Sequence, residues 1–156
     1  MRKSLRRIEW TLLVIIGGIA LMFVIPSLDL FDRDQAVSEA KKAGHYYKVN
    51  ADTQTYFGKK LRVDGVIYDE DKLVVYLSSK DLFVVPSLPN SIQVKTDSGL
   101  VLDYNSSSGS MRLFKARGDF IFDPVPEDMK SITVFNEAYG HSFSFPVSFE
   151  GGGDGE

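Results

Sequence analysis

The sequence predicts a mainly β protein: an antiparallel β-sandwich preceded by a single N-terminal transmembrane helix and a short helical stalk. Three observations carry this expectation. An almost unbroken apolar run lies directly behind a basic N-terminus. From about Tyr46 onward, apolar residues recur at every second position, the period of a half-buried strand. Turn residues interrupt that pattern about every 8–12 residues, the spacing of a sandwich rather than of βαβ units.

The opening "MRKSLRR" sets Arg2, Lys3, Arg6 and Arg7 against Glu9. From Trp10 to Leu28 the chain is apolar except at Thr11, Pro26 and Ser27. Nineteen helical residues rise about 28 Å, close to the hydrocarbon thickness of a bilayer. Trp10 stands where an aromatic anchor meets the headgroups, and the basic residues before it place the N-terminus in the cytoplasm and the remainder outside. The bilayer is therefore the first expected partner, held through Trp10 to Leu28. Cleavage as a signal peptide is the rival, but "IPSLDLFD" offers no Ala-x-Ala pattern. A buried core helix is the other rival, and a run apolar on every side is too much for so small a domain to wrap.

"DRDQAVSEAKKAG" reads as a short helix or stalk. Asp32 or Asp34 caps it, Ala36, Val37 and Ala40 form a thin apolar stripe, and Gly44 stops it. "LRVDGVIY" and "KLVVYLS" then alternate as a hairpin about "DED", with Leu61, Val63 and Ile67 on one face of the first strand and Leu73, Val75 and Leu77 on one face of the second. "DLFVVPSLPNS" is a crossing loop. "IQVKTDSGLVLDY" is a second hairpin turning at Asp97-Ser98-Gly99. "NSSSGS" reads as an exposed polar loop, and "MRLFKARGDFIF" as one long strand bulged at Gly118. "SITVFN" and "HSFSFPVSF" pair around "EAYG". The second of these points Phe143, Phe145, Val147 and Phe149 one way, and Pro146 puts it at an edge or bulge.

Six or seven such strands need a second sheet to cover their apolar faces, so two sheets face each other in an immunoglobulin-like sandwich. The boundaries read as a cytoplasmic tail (1–9), a transmembrane anchor (10–30), a stalk (31–45), the sandwich (46–150) and a disordered tail, "GGGDGE" (151–156). The stretches "GKKLRVDGVIYDEDKLVVYLSSKD", "SIQVKTDSGLVL" and "FDPVPEDMKSITV" resemble the immunoglobulin-like extracytoplasmic domains of unknown function in Gram-positive bacterial membrane proteins, including anti-sigma-factor-type regulators. The resemblance covers roughly residues 55–149. It implies an extracytoplasmic, membrane-tethered module and carries no catalytic residues across. Only nine residues precede Trp10, too few to fold as a sigma-binding domain, so direct sigma-factor binding is not expected.

Composition excludes several chemistries. There is no cysteine, hence no disulfide, thiolate catalysis or Cys-ligated zinc. Beyond the first nine residues 14 basic and 20 acidic residues remain, which is no footprint for nucleic acid. His45 and His141 are the only histidines and stand far apart in sequence. No G-x-S-x-G or S-x-x-K appears, and no phosphate-cradling glycine loop. "DED" at 69–71 reads as a solvated turn. A weak calcium site would need Asp119, Asp123, Glu127 and Asp128 to converge. No cofactor, resident metal or catalytic group is expected.

What remains is aromatic. Tyr46, Tyr47, Tyr56 and Phe57 cluster before the first strong strand, and Tyr139 and His141 sit in the last hairpin. Buried, the first four are edge-strand core. Exposed, these six residues are the candidate surface for a ligand or partner. The expected function is a non-catalytic, membrane-anchored interaction or sensory accessory module with a membrane or envelope protein partner. The alternatives are a cell-wall or glycan-binding module and, third, an envelope enzyme.

Overall fold

A computed structural model describes residues 2–24, 34–69, 71–81, 85–112 and 114–150. The chain divides into two compact units, residues 1–33 and 34–156. The expected tail at 151–156 lies outside the described residues, as do 25–33 at the end of the expected anchor and the start of the stalk.

The first unit is the helix α1 (Arg2–Val24). Thr11, the one polar residue inside its apolar stretch, returns its hydroxyl to the Arg7 carbonyl at 2.8 Å, so the helix satisfies that group itself. Among the described residues no helix is long and apolar enough to cross a membrane. The apolar run from Trp10 is described as helix to Val24, and fifteen residues rise only about 22 Å. The last part of the run falls outside the described residues, so the described helix does not bear out a spanning segment.

The second unit begins with α2 (Gln35–Ala43). The Asp34 carboxylate accepts from the Ala36 amide, and Gly44 at φ 81° closes the C-terminus by donating back to Ala40 and Lys41. Among the described residues ten strands follow: β1 (Tyr46–Lys48), β2 (Gln54–Tyr56), β3 (Lys59–Asp69), β4 (Lys72–Lys80), β5 (Gln93–Thr96), β6 (Val101–Asp103), β7 (Ser106–Arg112), β8 (Lys115–Phe122), β9 (Ser131–Ala138) and β10 (His141–Ser148). They form two antiparallel sheets. The six-stranded sheet runs β1-β3-β4-β8-β7, with β2 also on β3; the four-stranded sheet runs β10-β9-β5-β6.

The inner faces supply one core. Leu61, Val63, Leu73, Val75, Leu77 and Phe122 from the larger sheet are at most 1% exposed. Val94, Val134 and Phe145 of the smaller sheet are fully buried. Each such side chain contributes about 1.5–3 kcal/mol on leaving water. The expected alternation in the last strand holds: Phe143, Phe145 and Val147 are buried, with Phe149 packed against the same core. Pro146 lies in β10, an edge strand, where a missing N–H costs no ladder bond.

Four sequence expectations are corrected. Ile67 does not join Leu61 and Val63 in the core, because the β3–β4 register shifts between Val63 and Gly65 and Val66 turns inward instead. The bulge is therefore in β3. Gly118 pairs in regular register with both Leu77 and Gly109. Most of "NSSSGS" is not a loop but β7, and "MRLFKARGDFIF" is not one strand but the end of β7 turning into β8. Every residue of β7 is exposed, so it carries no apolar period. Its strand character comes from backbone pairing with β8 alone.

Candidate functional site

Two hairpin turns come together at one end of the sandwich. Tyr56 pairs with Lys59, and Ala138 with His141, leaving two-residue loops Phe57-Gly58 and Tyr139-Gly140. Both loop residues have positive φ in each case, 48° and 71° in the first and 50° and 75° in the second. This is the backbone of a type I′ turn, which matches strand twist but favours Asn or Gly at its first position. Here both first positions are aromatic. Left-handed backbone costs such a residue about 1 kcal/mol or more. Phe57 is 45% and Tyr139 94% exposed.

A ladder of rings supports the first turn from below. Phe145 contacts Phe143 at 5.7 Å between centroids, Phe143 meets Tyr56 edge-on at 5.0 Å, and Tyr56 meets Phe57 edge-on at 4.7 Å. His141 lies against Phe57 at 4.4 Å. The ladder runs from a fully buried ring to a half-exposed one. Burial pushes the Tyr56 hydroxyl above its ordinary pKa.

Beside the turns lies a cleft of about 330 Å³, bordered by Tyr56, Phe57 and Tyr139. Its far wall is the 87–91 loop, and its floor includes Leu61 and Asn136. The loop is fixed at three points. Leu88 packs so closely over Gly118 that a Cβ there would meet its Cδ1 at 2.7 Å. Tyr104 donates its hydroxyl to the Asn90 carbonyl at 3.0 Å. The Asn136 amide donates to the Ser91 carbonyl and hydroxyl. Lys59 is turned aside, its ammonium donating to the Val85 carbonyl at 2.7 Å.

Four of the six candidate residues therefore meet at one end: Tyr56, Phe57, Tyr139 and His141. Tyr46 and Tyr47 do not join them, because β1 pairs with the far stretch of β3, Gly65 to Ile67, whereas β2 pairs with its start. Tyr46 covers the outer face of the larger sheet, its hydroxyl donating to the Asp64 carbonyl at 3.3 Å and Lys41 lying over its ring. Tyr47 packs on Phe149, which stacks on Tyr68. The wall residues Leu88, Asn90, Ser91 and Asn136 were not singled out by sequence, since neutral residues far apart in the chain carry no local signal. The Phe-Gly and Tyr-Gly pairs between strands were the available clue.

The four carboxylates that a weak calcium site would need together, Asp119, Asp123, Glu127 and Asp128, form no such group. Asp119 sits in β8 opposite Tyr76 and accepts from Ser108, and among the described residues no group of three or more His, Asp or Glu side chains is placed to hold a metal ion. His45 is 3.1 Å from Asp69, an exposed contact of little energetic weight. Comparison with family models, curated proteins and solved structures finds no match to this chain.

Proposed function

We propose that the chain is a membrane-anchored recognition module. The run from Trp10 to Leu28 is held in lipid with its basic end in the cytoplasm. The sandwich, read as immunoglobulin-like, stands outside and binds a membrane or envelope partner without chemistry of its own. The anchor reading rests on the sequence run, which continues past Val24, and on the exposure of the helix. Leu12, Leu13, Val14, Ile15 and Ile16 are each more than half exposed. Five consecutive helical positions cover the whole circumference, and apolar surface on every side favours lipid over water. Tethering confines the sandwich to the membrane surface and raises its effective concentration toward anything else there.

The observation that carries recognition is the pair of aromatic residues held in left-handed backbone at neighbouring turn tips. Tyr139, almost wholly in solvent, adds nothing to the core, and its backbone is less favourable than that of Asn or Gly in the same turn. Uncompensated exposure and strain of this kind fit a contact made with something else. A non-catalytic role agrees with the use of both histidines: His45 faces Asp69, and His141 backs Phe57. The cleft beside the turns favours a second reading, a glycan-binding module.

A photo-crosslinking residue at Tyr139 of the full chain, in intact cells, tests the recognition end. Ser98, exposed in the β5–β6 turn, is the control. Adducts with a membrane or envelope component from position 139 and not from 98 are expected. Equal labelling from both, or none from 139, contradicts the reading.

A further inference from the structure

Resting on the recognition-module reading, we propose that the cleft between the aromatic turns and the 87–91 loop takes an uncharged oligosaccharide chain, with the rings of Phe57 and Tyr139 stacking on the C–H faces of its sugars. A pyranose ring presents two kinds of surface: axial C–H groups that lie flat on an aromatic ring, and an equatorial belt of neutral hydroxyls. The cleft presents the complement of both. Phe57 and Tyr139 are flat and exposed on short turns that fix their backbone, and each ring has only two side-chain torsions to order on binding. The opposite wall and floor offer Ser87, Asn90, Ser91 and Asn136, neutral donors and acceptors suited to hydroxyls.

Charge and size narrow the class. Of the described lining residues Lys59 is the charged one, and its ammonium gives one of its donors to the Val85 carbonyl. The other described lining residues are neutral, so a ligand rich in hydroxyls finds more partners here than an anion does. A volume of about 330 Å³ lies at the small end of ligand clefts, which run from about 300 to 1,000 Å³. A stable protein interface covers roughly 800 Å² on each partner, far more than this narrow slot offers. The Leu88–Gly118 contact and the Asn136–Ser91 bonds hold the wall in place before any ligand arrives. A chain lying across the rim meets both rings at once.

The test is titration of the full chain, in lipid nanodiscs, with the β-1,4-linked hexamers of glucose and of N-acetylglucosamine. A proline-rich decapeptide is the competing probe, because aromatic grooves also bind such peptides. The reporting variants are Tyr139→Asn, whose turn is as good or better, and Phe57→Leu, which keeps apolar bulk and loses the flat ring. Saturable binding of at least one hexamer, weakened about tenfold by each variant while the melting temperature holds or rises for Tyr139→Asn, supports the proposal. Sugar binding indifferent to both variants overturns the site. Peptide binding in place of sugar overturns the ligand class and leaves the recognition reading standing. No binding of any probe, together with no crosslinking from position 139, overturns both.

Discussion

The Tyr46 hydroxyl occupies the space where a side chain on Gly65 would begin. Gly65 lies just after the bulge in β3, and β1 runs beside it in register, Lys48 opposite Gly65. The tyrosine thus reaches flat across the outer face of the sheet because the strand below has no Cβ there. Burial raises the Tyr46 pKa first, and the Asp64 charge adds to this. Gly65→Ala is expected to evict the ring and cost about 2–3 kcal/mol. Tyr46→Phe, which loses only a long hydrogen bond, is expected to cost less than about 1 kcal/mol. Chemical denaturation of both variants checks the order; equal costs would contradict the packing account.

A second closure lies at the opposite edge of the sandwich from β7. The Gln54 side-chain amide, on β2 of the larger sheet, bonds both backbone groups of Ser144 on β10 of the smaller one, accepting from the amide at 3.0 Å and donating to the carbonyl at 2.5 Å. One carboxamide thereby acts as a missing strand and blocks an open edge. Gln54→Ala is expected to destabilise by about 1–2 kcal/mol and to speed hydrogen exchange at the Ser144 amide selectively. Unchanged exchange there would show that the bond does not form in solution.

Alkaline pH probes the outer face. Burial, then the charges of Asp34 and Asp119, push the Tyr76 hydroxyl up to about 12, against a smaller opposing pull from Arg117. The protonated form is favoured by the fold. Above the ordinary value near 10 the unfolded chain has released this proton while the folded chain keeps it. Stability contributed by the group is thus complete below pH ~10 and is lost as pH rises toward ~12, by something like 2 kcal/mol. Melting temperatures taken from pH 9 to 12 should fall more steeply for the native chain than for Tyr76→Phe. Parallel slopes would refute the assignment.

The β7 edge should be the weakest part of the six-stranded sheet. It is bonded on one side only and buries nothing, whereas β4 lies between β3 and β8 with seven of its nine residues buried. Amide exchange in residues 106–111 is expected to outrun that in 73–79 by about a hundredfold or more. Comparable protection would mean the edge is covered by something else in solution.

How legible these features were depends on where their information resides. The hairpin around "DED", the Asp97-Ser98-Gly99 turn and the alternation of Phe143, Phe145 and Val147 were readable because each is local: side chains alternate across a strand, and turns need particular residues. The mainly β class, with antiparallel sheets, followed from that. β7 was unreadable because a strand made by pairing alone leaves no apolar trace. The inward turn of Val66 was hidden because a bulge inverts every side chain beyond it. At the candidate site, Tyr56, Phe57, Tyr139 and His141 were named as residues, but their meeting depends on β2 and β10 lying side by side. Tyr46 and Tyr47, close to Tyr56 in sequence, lie apart from it because β1 pairs with Gly65 to Ile67 of β3 whereas β2 pairs with Lys59 to Leu61.

The account depends most on the placement of the run from Trp10 to Leu28 in lipid, with the sandwich outside. The chain has no cysteine, so a single introduced thiol reports its own location. Ser142→Cys, on an exposed position of β10, and Ser4→Cys, in the basic tail, are each treated with a membrane-impermeant maleimide in intact cells after confirming that the protein sediments with membranes. Labelling of position 142 in intact cells, and of position 4 only after permeabilisation, is the expected result. Recovery of the uncleaved chain in the soluble fraction, or labelling in the reverse order, would contradict it.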